Sequence, residues 1–272
     1  HHGGGNMKAL HIYLDQQILP TLVNSDISFE PRGKTPEQSI TPKDVTAYIH
    51  DYKKIIQLGH SYESKFLCDL EKQDTLDKQS ISSDHDCHIL SIGSNDQWGF
   101  EQSVLTQTSC TVHTFDCTLE GGKPKRKPAT DRVKFYNYCI ASHNKTISRR
   151  MYGKFSELWN KTGIPSAPKL VKIDVEGFEY AVLTAMISEH LNNPNQAKFL
   201  PEQIIVELHW ATKMSDLPWL LRTRGAGEIS LLVSTLYSAG YMPVYTHYEH
   251  GCVPCLEVLF VRVICSAAEI TM

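Results

Sequence analysis

The chain has 272 residues, 41% of them hydrophobic, and a formal net charge of -3 at pH 7. This length and hydrophobic content can build one sizeable core with an appendage, so we expect one main domain. The charge gives no overall attraction to nucleic acid or to an anionic membrane, and no apolar run approaches the ~20 residues of a membrane span. We therefore expect no nucleic-acid partner and no membrane span within this sequence.

The first 84 residues differ in character from the rest, and we interpret them as an N-terminal extension, 1–84, before a main domain at 85–272. The chain begins His-His-Gly-Gly-Gly without an initiator methionine, which is typical of a fragment edge or a cloning scar, so the presence of an upstream signal peptide or anchor stays open. Thr41 followed by Pro42 predicts the start of a helix. Its apolar stripe is Val45, Ile49, Tyr52, Ile56 and Leu58. The extension is therefore predicted to be a helical lead-in.

The eight cysteines are an even number, which permits a full set of disulfides without requiring one. Several fall inside predicted strands, where we expect a reduced cysteine to act as a small hydrophobic residue. Cys252-Val-Pro-Cys255 has no second pair at zinc spacing and no thioredoxin-type context, so we interpret it as a hairpin turn. Two glycosylation sequons, Asn144-Lys-Thr146 and Asn160-Lys-Thr162, together with the cysteines, favour a secretory-pathway or Golgi-lumenal setting over the cytoplasm, though only weakly.

The main domain begins with a strand, a glycine turn, a helix and a second strand. The strand His88–Ile92 ends at a turn over 93–99, a helix is predicted over 100–105, and the strand Thr111–Phe115 ends on Asp116. The distance from Gly93 to Asp116, 116 minus 93 or 23 positions, is close to the ~20 residues between a glycine turn and a ribose-binding acid. Because glycine lets the backbone approach a ligand and the acid can accept from ribose hydroxyls, this order predicts a nucleotide-type cofactor site.

Three further elements precede the fourth strand. The basic loop over 121–128 contains prolines and no aromatic residues, so we interpret it as a solvated loop, with a localisation signal or a phosphate patch as alternatives. A third strand is predicted over 133–140 and a short helix over 155–159. The fourth strand, Leu170–Ile173, is a short apolar run of the kind that a covered parallel strand needs.

The remainder of the chain continues the alternation and then departs from it. A helix is predicted from Gly177 to the break at 192–195, followed by a fifth strand at Gln203–His209. We expect an irregular segment over the site at 217–227, a helix at 229–238, and two strands, 241–248 and 256–264, joined as an antiparallel hairpin. Parallel strands that end in such a hairpin distinguish this plan from a standard dinucleotide fold.

Candidate catalytic groups follow the fourth and fifth strands. Asp174 and Glu176 come after the fourth strand, whereas Glu207 and His209 close the fifth and, being two apart, share one face. Ligands bind at the carboxyl edge of open parallel sheets, so these groups are aimed at the site. Three interpretations stay open: Asp174 or His209 is a general base, the group holds a divalent metal, or the charges fix the two loops. For Glu176 and Glu179, a helix-dipole role alone is sufficient; for Asp174 and His209 we favour a catalytic role, with the metal third.

The block KIDVEGFEYAVL at 172–183 resembles the signature of FkbM-type S-adenosylmethionine-dependent methyltransferases and their methyltransferase-like relatives in eukaryotes. Further blocks are similar in the same order, at 91–101, 115–118, 206–209 and 255–262, and the similarity covers about 87–264. The resemblance implies an α/β fold with the seven-stranded Rossmann-like methyltransferase sheet, mostly parallel with an antiparallel C-terminal hairpin. One departure is the turn GSNDQWG at 93–99, which is not a tight GxGxG.

The resemblance also implies roles for individual residues. Gly93, Ser94 and Asn95 would line the methionine part of S-adenosylmethionine, and Asp116 would bind its ribose. Ile140 and Ala141 occupy the place where such enzymes hold adenine. Methyl transfer needs mainly the alignment of donor and acceptor, which can lower a barrier by ~7–11 kcal/mol.

Taken together, the residue patterns and the resemblance predict a methyltransferase. In particular, they predict an O-methyltransferase acting on a sugar hydroxyl or another small-molecule or glycan acceptor. Its candidate catalytic residues are Asp174, His209, Glu207 and Glu176. A catalytically silent methyltransferase fold that acts as a binding module is the main alternative. A nucleotide-sugar or dinucleotide enzyme fits the glycine pattern and the final hairpin less well. The acceptor is set by loops, which vary freely, so it and the oligomeric state stay open.

Overall fold

The computed structural model describes residues 55–58, 65–68, 87–192, 199–209, 226–247 and 255–262. In chain order the strands are β1 (Ile55–Leu58), β2 (Lys65–Cys68), β3 (His88–Ile92), β4 (Thr111–Phe115), β5 (Val133–Tyr136), β6 (Cys139–Ile140), β7 (Lys145–Ile147), β8 (Arg150–Gly153), β9 (Leu170–Ile173), β10 (Gln203–His209), β11 (Tyr241–His247) and β12 (Cys255–Arg262). The described helices are α1 (Gly99–Gln107), α2 (Glu157–Thr162), α3 (Glu179–Asn192) and α4 (Ala226–Ser238), with a short 3-10 turn at Glu120–Gly122.

Seven strands form one sheet in the order β11-β12-β10-β9-β3-β4-β5. The strands from β10 to β5 in this order run parallel, whereas β12 is antiparallel to both β10 and β11. The first strand of the domain, β3, therefore lies near the middle, and the chain builds outward from it in both directions. The predicted Rossmann-like methyltransferase sheet with an antiparallel C-terminal hairpin is confirmed.

Alternate residues of the central strands enter two separate hydrophobic clusters, one on each face of the sheet. In β3, Leu90 and Ile92 belong to the cluster that also contains the apolar stripes of α3 and α4. Ile89 belongs instead to a second cluster with Phe100 and Val104 of α1. Side chains alternate across a strand, so this division means that helices cover both faces. This burial explains why the central strands appear in the sequence as continuous apolar runs.

The third predicted strand, 133–140, is wrong in one respect, because it is two strands in different sheets. Only Val133–Tyr136 pairs with β4. The chain then turns, with the amide of Tyr138 donating to the carbonyl of Tyr136 at 2.9 Å. Cys139–Ile140 pairs with β8 in a three-stranded sheet of order β6-β8-β7, which the sequence did not predict. Ser148 and Arg149 connect β7 to β8 with φ of 48° and 66°, as a tight two-residue hairpin turn requires.

The N-terminal extension does not continue as a helix through residue 58. Residues 55–58 are a strand that pairs antiparallel with 65–68, so the predicted helical lead-in is wrong there, and its start at Thr41 lies outside the described residues. This hairpin lies against the main domain, with β1 beside α1 and β2 beside β10 and β12. Residues 55–58 are extended because β1 pairs with β2. The apolar residues Ile56 and Leu58, which were included in the predicted helical stripe, did not reveal this pairing. Of the irregular segment predicted at 217–227, 217–225 lies outside the described residues and 226–227 begins α4.

Two disulfide bonds join neighbouring parts of the main domain. Cys87 is bonded to Cys110 across the starts of β3 and β4, and Cys117 is bonded to Cys139 between the end of β4 and β6. Cys255 is disulfide-bonded as well. The sequence had left the disulfide state of these cysteines open. None of the described helices has the length and apolar character to cross a membrane.

A row of polar rings crosses β3, β4 and β5, with both of its histidines buried. His88 Nδ1 lies 3.1 Å from His113 Nε2, and His113 Nδ1 lies 3.1 Å from the Tyr136 hydroxyl. Burial lowers the pKa of His113 to about 4, assisted by the charges of His88 and Lys134. The His113 ring is therefore neutral in the folded protein at pH values where a histidine in an unfolded chain takes up a proton.

We predict that His113 makes the fold sensitive to acid. A histidine in an unfolded chain has a pKa of about 6.5. As the pH falls from there towards 4, the unfolded state binds a proton that the folded state does not bind. The free energy of unfolding is therefore about 2 kcal/mol lower at pH 4.5. The free energy of unfolding of wild type, minus that of His113→Gln, should therefore decrease as the pH falls from 7 to 4.5. His143→Gln, at an exposed site, is the control. A wild-type minus His113→Gln difference that stays constant over this range would contradict the prediction.

Candidate active site

The glycine turn after β3 packs directly on the backbone that follows β9. Gly93 has a φ of 83°, and a Cβ added to it would lie 1.7 Å from the carbonyl oxygen of Asp174. Its amide donates to the Phe115 carbonyl at 2.9 Å, and its own carbonyl accepts a hydrogen bond from Lys172 Nζ. Residue 93 must therefore be glycine, both for its positive φ and for the absence of a side chain. The turn that is predicted to bind the cofactor and the strand end that carries Asp174 are in contact.

The carboxylate of Asp116 shapes the glycine turn. Its Oδ2 accepts hydrogen bonds from the amides of Ser94 at 3.0 Å and Asn95 at 2.7 Å, with the Ser94 hydroxyl at 3.4 Å. Its Oδ1 accepts from the Thr118 amide at 2.7 Å and hydroxyl at 2.6 Å. The side chain is buried, and five donors occupy about the four lone-pair positions of a carboxylate. In this arrangement Asp116 holds the turn, so its ribose-binding role stays a prediction that requires some of these bonds to be exchanged.

Asp96 fastens the basic loop to the same turn. Its Oδ1 accepts hydrogen bonds from Trp98 Nε1 and from the backbone amides of Lys125 and Arg126, at 3.0, 3.0 and 3.2 Å. The bond from Trp98 and those two amides lower the pKa of Asp96. The basic side chains of Lys125 and Arg126 remain exposed, in agreement with the interpretation as a solvated loop. The sequence did not indicate that this loop is attached to the glycine turn.

The two residues expected near adenine are enclosed by the protein. Ile140 is 2% exposed and packs in the main hydrophobic cluster, and Ala141 is 1% exposed and packs with Cys117 and Tyr152. Neither side chain offers open surface in this arrangement. The adenine-binding role of Ile140 and Ala141 therefore stays a prediction.

The four candidate catalytic residues come together at the carboxyl edge of β9 and β10. His209 Nε2 lies 3.6 Å from Glu176 Oε2 and 3.5 Å from Glu207 Oε1. Glu176 has a φ of 53° and precedes the helix α3, which begins at residue 179. Its side chain is 58% exposed, and that of Asp174 is 26% exposed. The helix-dipole explanation for Glu176 is therefore weakened, since the residue stands outside the helix and faces His209.

Glu179 orients His209, a role that the sequence did not suggest. The Glu179 side chain is fully buried, and its Oε1 accepts from the amides of Val175 and Gly177 and from His209 Nδ1, at 3.1, 3.0 and 2.9 Å. Burial by itself would lower the pKa of His209, but the hydrogen bond and charge of Glu179, with the charges of Asp174 and Glu207, outweigh burial and raise it to about 9. His209 Nδ1 is thus fixed on Glu179, and Nε2 is turned towards the site.

The N-terminal hairpin contributes a buried lysine to this edge. Lys65 Nζ lies 3.1 Å from Glu207 Oε2 and 2.7 Å from Glu257 Oε2. Burial opposes the charge of Lys65, but Glu257, Asp174 and Glu207 outweigh burial and raise its pKa. No local pattern marked Lys65 in the sequence. Glu257 could have been found, because a carboxylate in an otherwise apolar strand needs a buried partner.

Lys172 balances the charge of Asp174. Burial would raise the pKa of the Asp174 carboxyl, but the charges of Lys172 and Lys65 and that of His209 lower it. The distance from Lys172 Nζ to Asp174 Oδ2 is 3.7 Å, which is long for a direct bond. Asp174 is therefore an ionised carboxylate that is partly exposed and not fully engaged by its neighbours.

Two groups of side chains have the spacing of metal ligands among the described residues. One is Glu207, His209 and Cys255; the other is Asp174, Glu176 and His209. In each group the ligand atoms lie within 4.8 Å of one another. Because Cys255 is in a disulfide, it has no thiolate to offer, and the first group is excluded. The second group is the one that has a free donor atom on every member.

Comparison with known proteins assigns the class. Residues 47–227 match the model of a methyltransferase domain family, which is more than half of the chain and includes the N-terminal hairpin. The chain belongs to this methyltransferase family, and it is an enzyme that uses S-adenosylmethionine as the methyl donor. No curated protein sequence matches it.

Solved structures resemble the chain at low identity. The fibrillarin pre-rRNA processing protein of Methanococcus jannaschii is 12% identical over 88% of each chain, with a TM-score of 0.42. The N-methyltransferase NodS from Bradyrhizobium japonicum WM9 is 13% identical over 71% of this chain and 95% of its own, with a TM-score of 0.39. Its complex with S-adenosyl-l-homocysteine is 11% identical over 71% and 86%, with a TM-score of 0.38. Such distant likenesses say nothing about the acceptor.

The residues at the glycine turn fit this cofactor. The turn follows the central strand β3 at the carboxyl edge of the sheet, and an acid stands at the end of the adjacent strand β4. Gly93, Ser94, Asn95 and Asp116 are the residues that would hold it. Ser94 and Asp116 are buried, so this part of the site is formed by well-packed groups.

Proposed function

We propose that the protein transfers a methyl group to a hydroxyl of a sugar, a glycan or another small molecule, as an FkbM-type O-methyltransferase. The observation that carries this proposal is the position of partly exposed carboxylates directly beside the glycine turn. Asp174 joins the two, because its backbone packs on Gly93 while its side chain faces Glu176 and His209. The signature block at 172–183, which contains Asp174 and Glu176, supports the FkbM assignment.

The acidic residues divide into two sets by their contacts. Glu179 is buried and bound to backbone amides, and Glu207 and Glu257 are paired with Lys65. These three hold the loops and strands in place. Asp174 and Glu176, in contrast, keep exposed surface and make only long contacts to their neighbours. The division favours a chemical role for Asp174 and Glu176 over a purely structural one.

A hydroxyl acceptor explains why such groups stand beside the cofactor. S-adenosylmethionine supplies a methyl group on a positively charged sulfur, so the protein has mainly to align the acceptor with it. A hydroxyl must also lose its proton, and a carboxylate within hydrogen-bond reach can hold the hydroxyl and take that proton. Of the four candidate catalytic residues, Asp174 is the one whose backbone packs on the turn, and it is assigned this task. His209, fixed by Glu179, lies within 4.8 Å of the Asp174 carboxylate and supports its negative charge.

A methyl-transfer assay with Asp174→Asn tests the proposal. Sugar, glycan and small-molecule hydroxyl pools are incubated with enzyme and a labelled methyl donor, and products are identified by mass spectrometry. We expect transfer to oxygen by wild type and a loss of about 10²-fold or more in Asp174→Asn, as for removal of a general base, with cofactor affinity unchanged. Asp131→Asn, at an exposed acid, is the control.

Two outcomes would contradict this assignment. Transfer by Asp174→Asn at the wild-type rate at every pH would show that Asp174 is architectural. Cofactor binding by wild type without transfer to any acceptor pool would favour the alternative, a catalytically silent binding module.

We also propose that the protein resides in an oxidising, secretory-pathway compartment. Disulfides persist in such compartments and are rare in the cytosol, and the bonded pairs Cys87–Cys110 and Cys117–Cys139 fit that setting. The sequon asparagine Asn160 is exposed on α2.

Thiol labelling and a glycosidase test this location. In protein taken from its native compartment, the four bonded cysteines should resist alkylation until reductant is added. Glycosidase treatment should increase the electrophoretic mobility of wild type more than that of Asn160→Gln, because wild type carries one more glycan. Alkylation of the four cysteines without reductant would place the protein in a reducing compartment and contradict the proposal.

A further inference from the structure

We propose that Asp174, Glu176 and His209 bind a divalent metal cation at the carboxyl edge of the sheet. One carboxylate oxygen from each acid and a ring nitrogen of the histidine all lie within 4.8 Å of one another. The three residues come from two neighbouring strand ends, β9 and β10, which pair in parallel register. A rigid sheet therefore sets the spacing of two of the three donors, and the loop of Glu176 supplies the third.

The distances in this group suit a shared ion better than direct bonds. His209 Nε2 lies 3.6 Å from Glu176 Oε2 and 3.5 Å from Glu207 Oε1, which is too long for good hydrogen bonds. Two ligand atoms at ~2.0–2.2 Å from one tetrahedral ion are separated by about 3.4 Å. Glu207 Oε1 is thus a fourth candidate donor atom, and the third oxygen, at a suitable distance from Nε2, while Glu207 Oε2 is held by Lys65.

His209 is prepared as a ligand by the residue behind it. The ring is 4% exposed, and Nδ1 is bonded to the fully buried Glu179. Nε2 makes no hydrogen bond to any described residue and points between the carboxylates. A histidine that ligates a metal typically donates its other nitrogen to a carboxylate, which fixes the ring and raises its basicity. Glu179 supplies that contact, and a cation can take the place of the proton on Nε2.

The charge of the cluster also calls for a cation. Among the described side chains, five carboxylates converge on two ammonium groups and His209. The carboxylates are Asp174, Glu176, Glu179, Glu207 and Glu257, and the ammonium groups are Lys65 and Lys172. Even with His209 protonated, negative charge is in excess at a largely buried edge. A divalent ion neutralises that excess at the open side, where Asp174 and Glu176 are partly exposed.

The cation has a natural role beside the methyl donor. With one oxygen of each carboxylate and one imidazole nitrogen as ligands, it would keep an open position for an acceptor hydroxyl, which it would hold and acidify. The second oxygen of Asp174 would stay available to take the proton that the hydroxyl loses. This role rests on the proposed O-methyl transfer, whereas the occupancy of the site does not.

Manganese binding tests the inference independently of catalysis. The protein is treated with chelator, which is then removed, and MnCl₂ is titrated by calorimetry and by electron paramagnetic resonance of free Mn²⁺. We expect one Mn²⁺ per chain, bound at least tenfold more weakly by Glu176→Gln, since even a residue behind a ligand is worth 10–100-fold. Glu176 is more than half exposed, so this variant should fold. Glu179→Gln should weaken Mn²⁺ by a similar factor, and Asp131→Asn should bind like wild type.

The results separate this inference from the proposed function. No saturable Mn²⁺ binding up to millimolar concentration, or wild-type affinity in Glu176→Gln, overturns the metal site even if methyl transfer is observed. One Mn²⁺ per chain that Glu176→Gln weakens supports the site even if no hydroxyl acceptor is methylated, an outcome that would count against the proposed function alone. Transfer that stops with chelator and returns with Mn²⁺ supports both.

Discussion

The close contact between Gly93 and the backbone of Asp174 links the two halves of the site. The strands β3 and β9 are neighbours, and the amide of Asp174 donates to the carbonyl of Ile92 at 3.0 Å as the pairing ends. A side chain at position 93 would meet the Asp174 carbonyl, so the strands could not end together in this way. Because the contact is made by backbone, the cofactor turn and the acidic cluster are held in fixed relation by the sheet itself.

Around that contact, buried charges are arranged so that most are neutralised and a few are left facing outward. Lys65 reaches from the N-terminal hairpin to Glu207 and Glu257, and Lys172 bonds the Gly93 carbonyl. Buried ion pairs of this kind contribute little net stability, but the removal of one partner is costly. The hairpin is thus part of the site, in agreement with a family match that begins at residue 47. What remains at the open side is an edge of carboxylates with one fixed imidazole.

The sequence predicted the central sheet well because burial on both faces leaves a strong local signal. Four strands have the predicted bounds: His88–Ile92, Thr111–Phe115, Leu170–Ile173 and Gln203–His209. Their polar ends, Asp116, Asp174 and His209, could be found for the same reason, since a polar group after an apolar run is conspicuous. The pairing of 55–58 with 65–68 and that of Cys139–Ile140 with β8 each depend on a partner strand that the local sequence pattern did not reveal.

The contacts within the site were less predictable than its residues. Glu179 appeared to be a helix-dipole acid, but its partner His209 is 30 positions away. Lys65 is 142 positions from Glu207, and no periodicity connects them. The disulfide pairs likewise follow from which strands are adjacent. Asp116 shows the converse, since its position was predicted and its bonds to the turn were not.

Calorimetric titration with S-adenosylmethionine tests the central claim, that the turn held by Asp116 binds the cofactor next to Asp174. Wild type and the exposed-site control Asp131→Asn should each bind one molecule per chain. Asp116→Asn keeps the shape of the side chain but not its charge or its full set of acceptors, so its affinity should fall by tenfold or more while the protein stays folded. Absence of binding by wild type, or unchanged affinity in Asp116→Asn, would contradict the account.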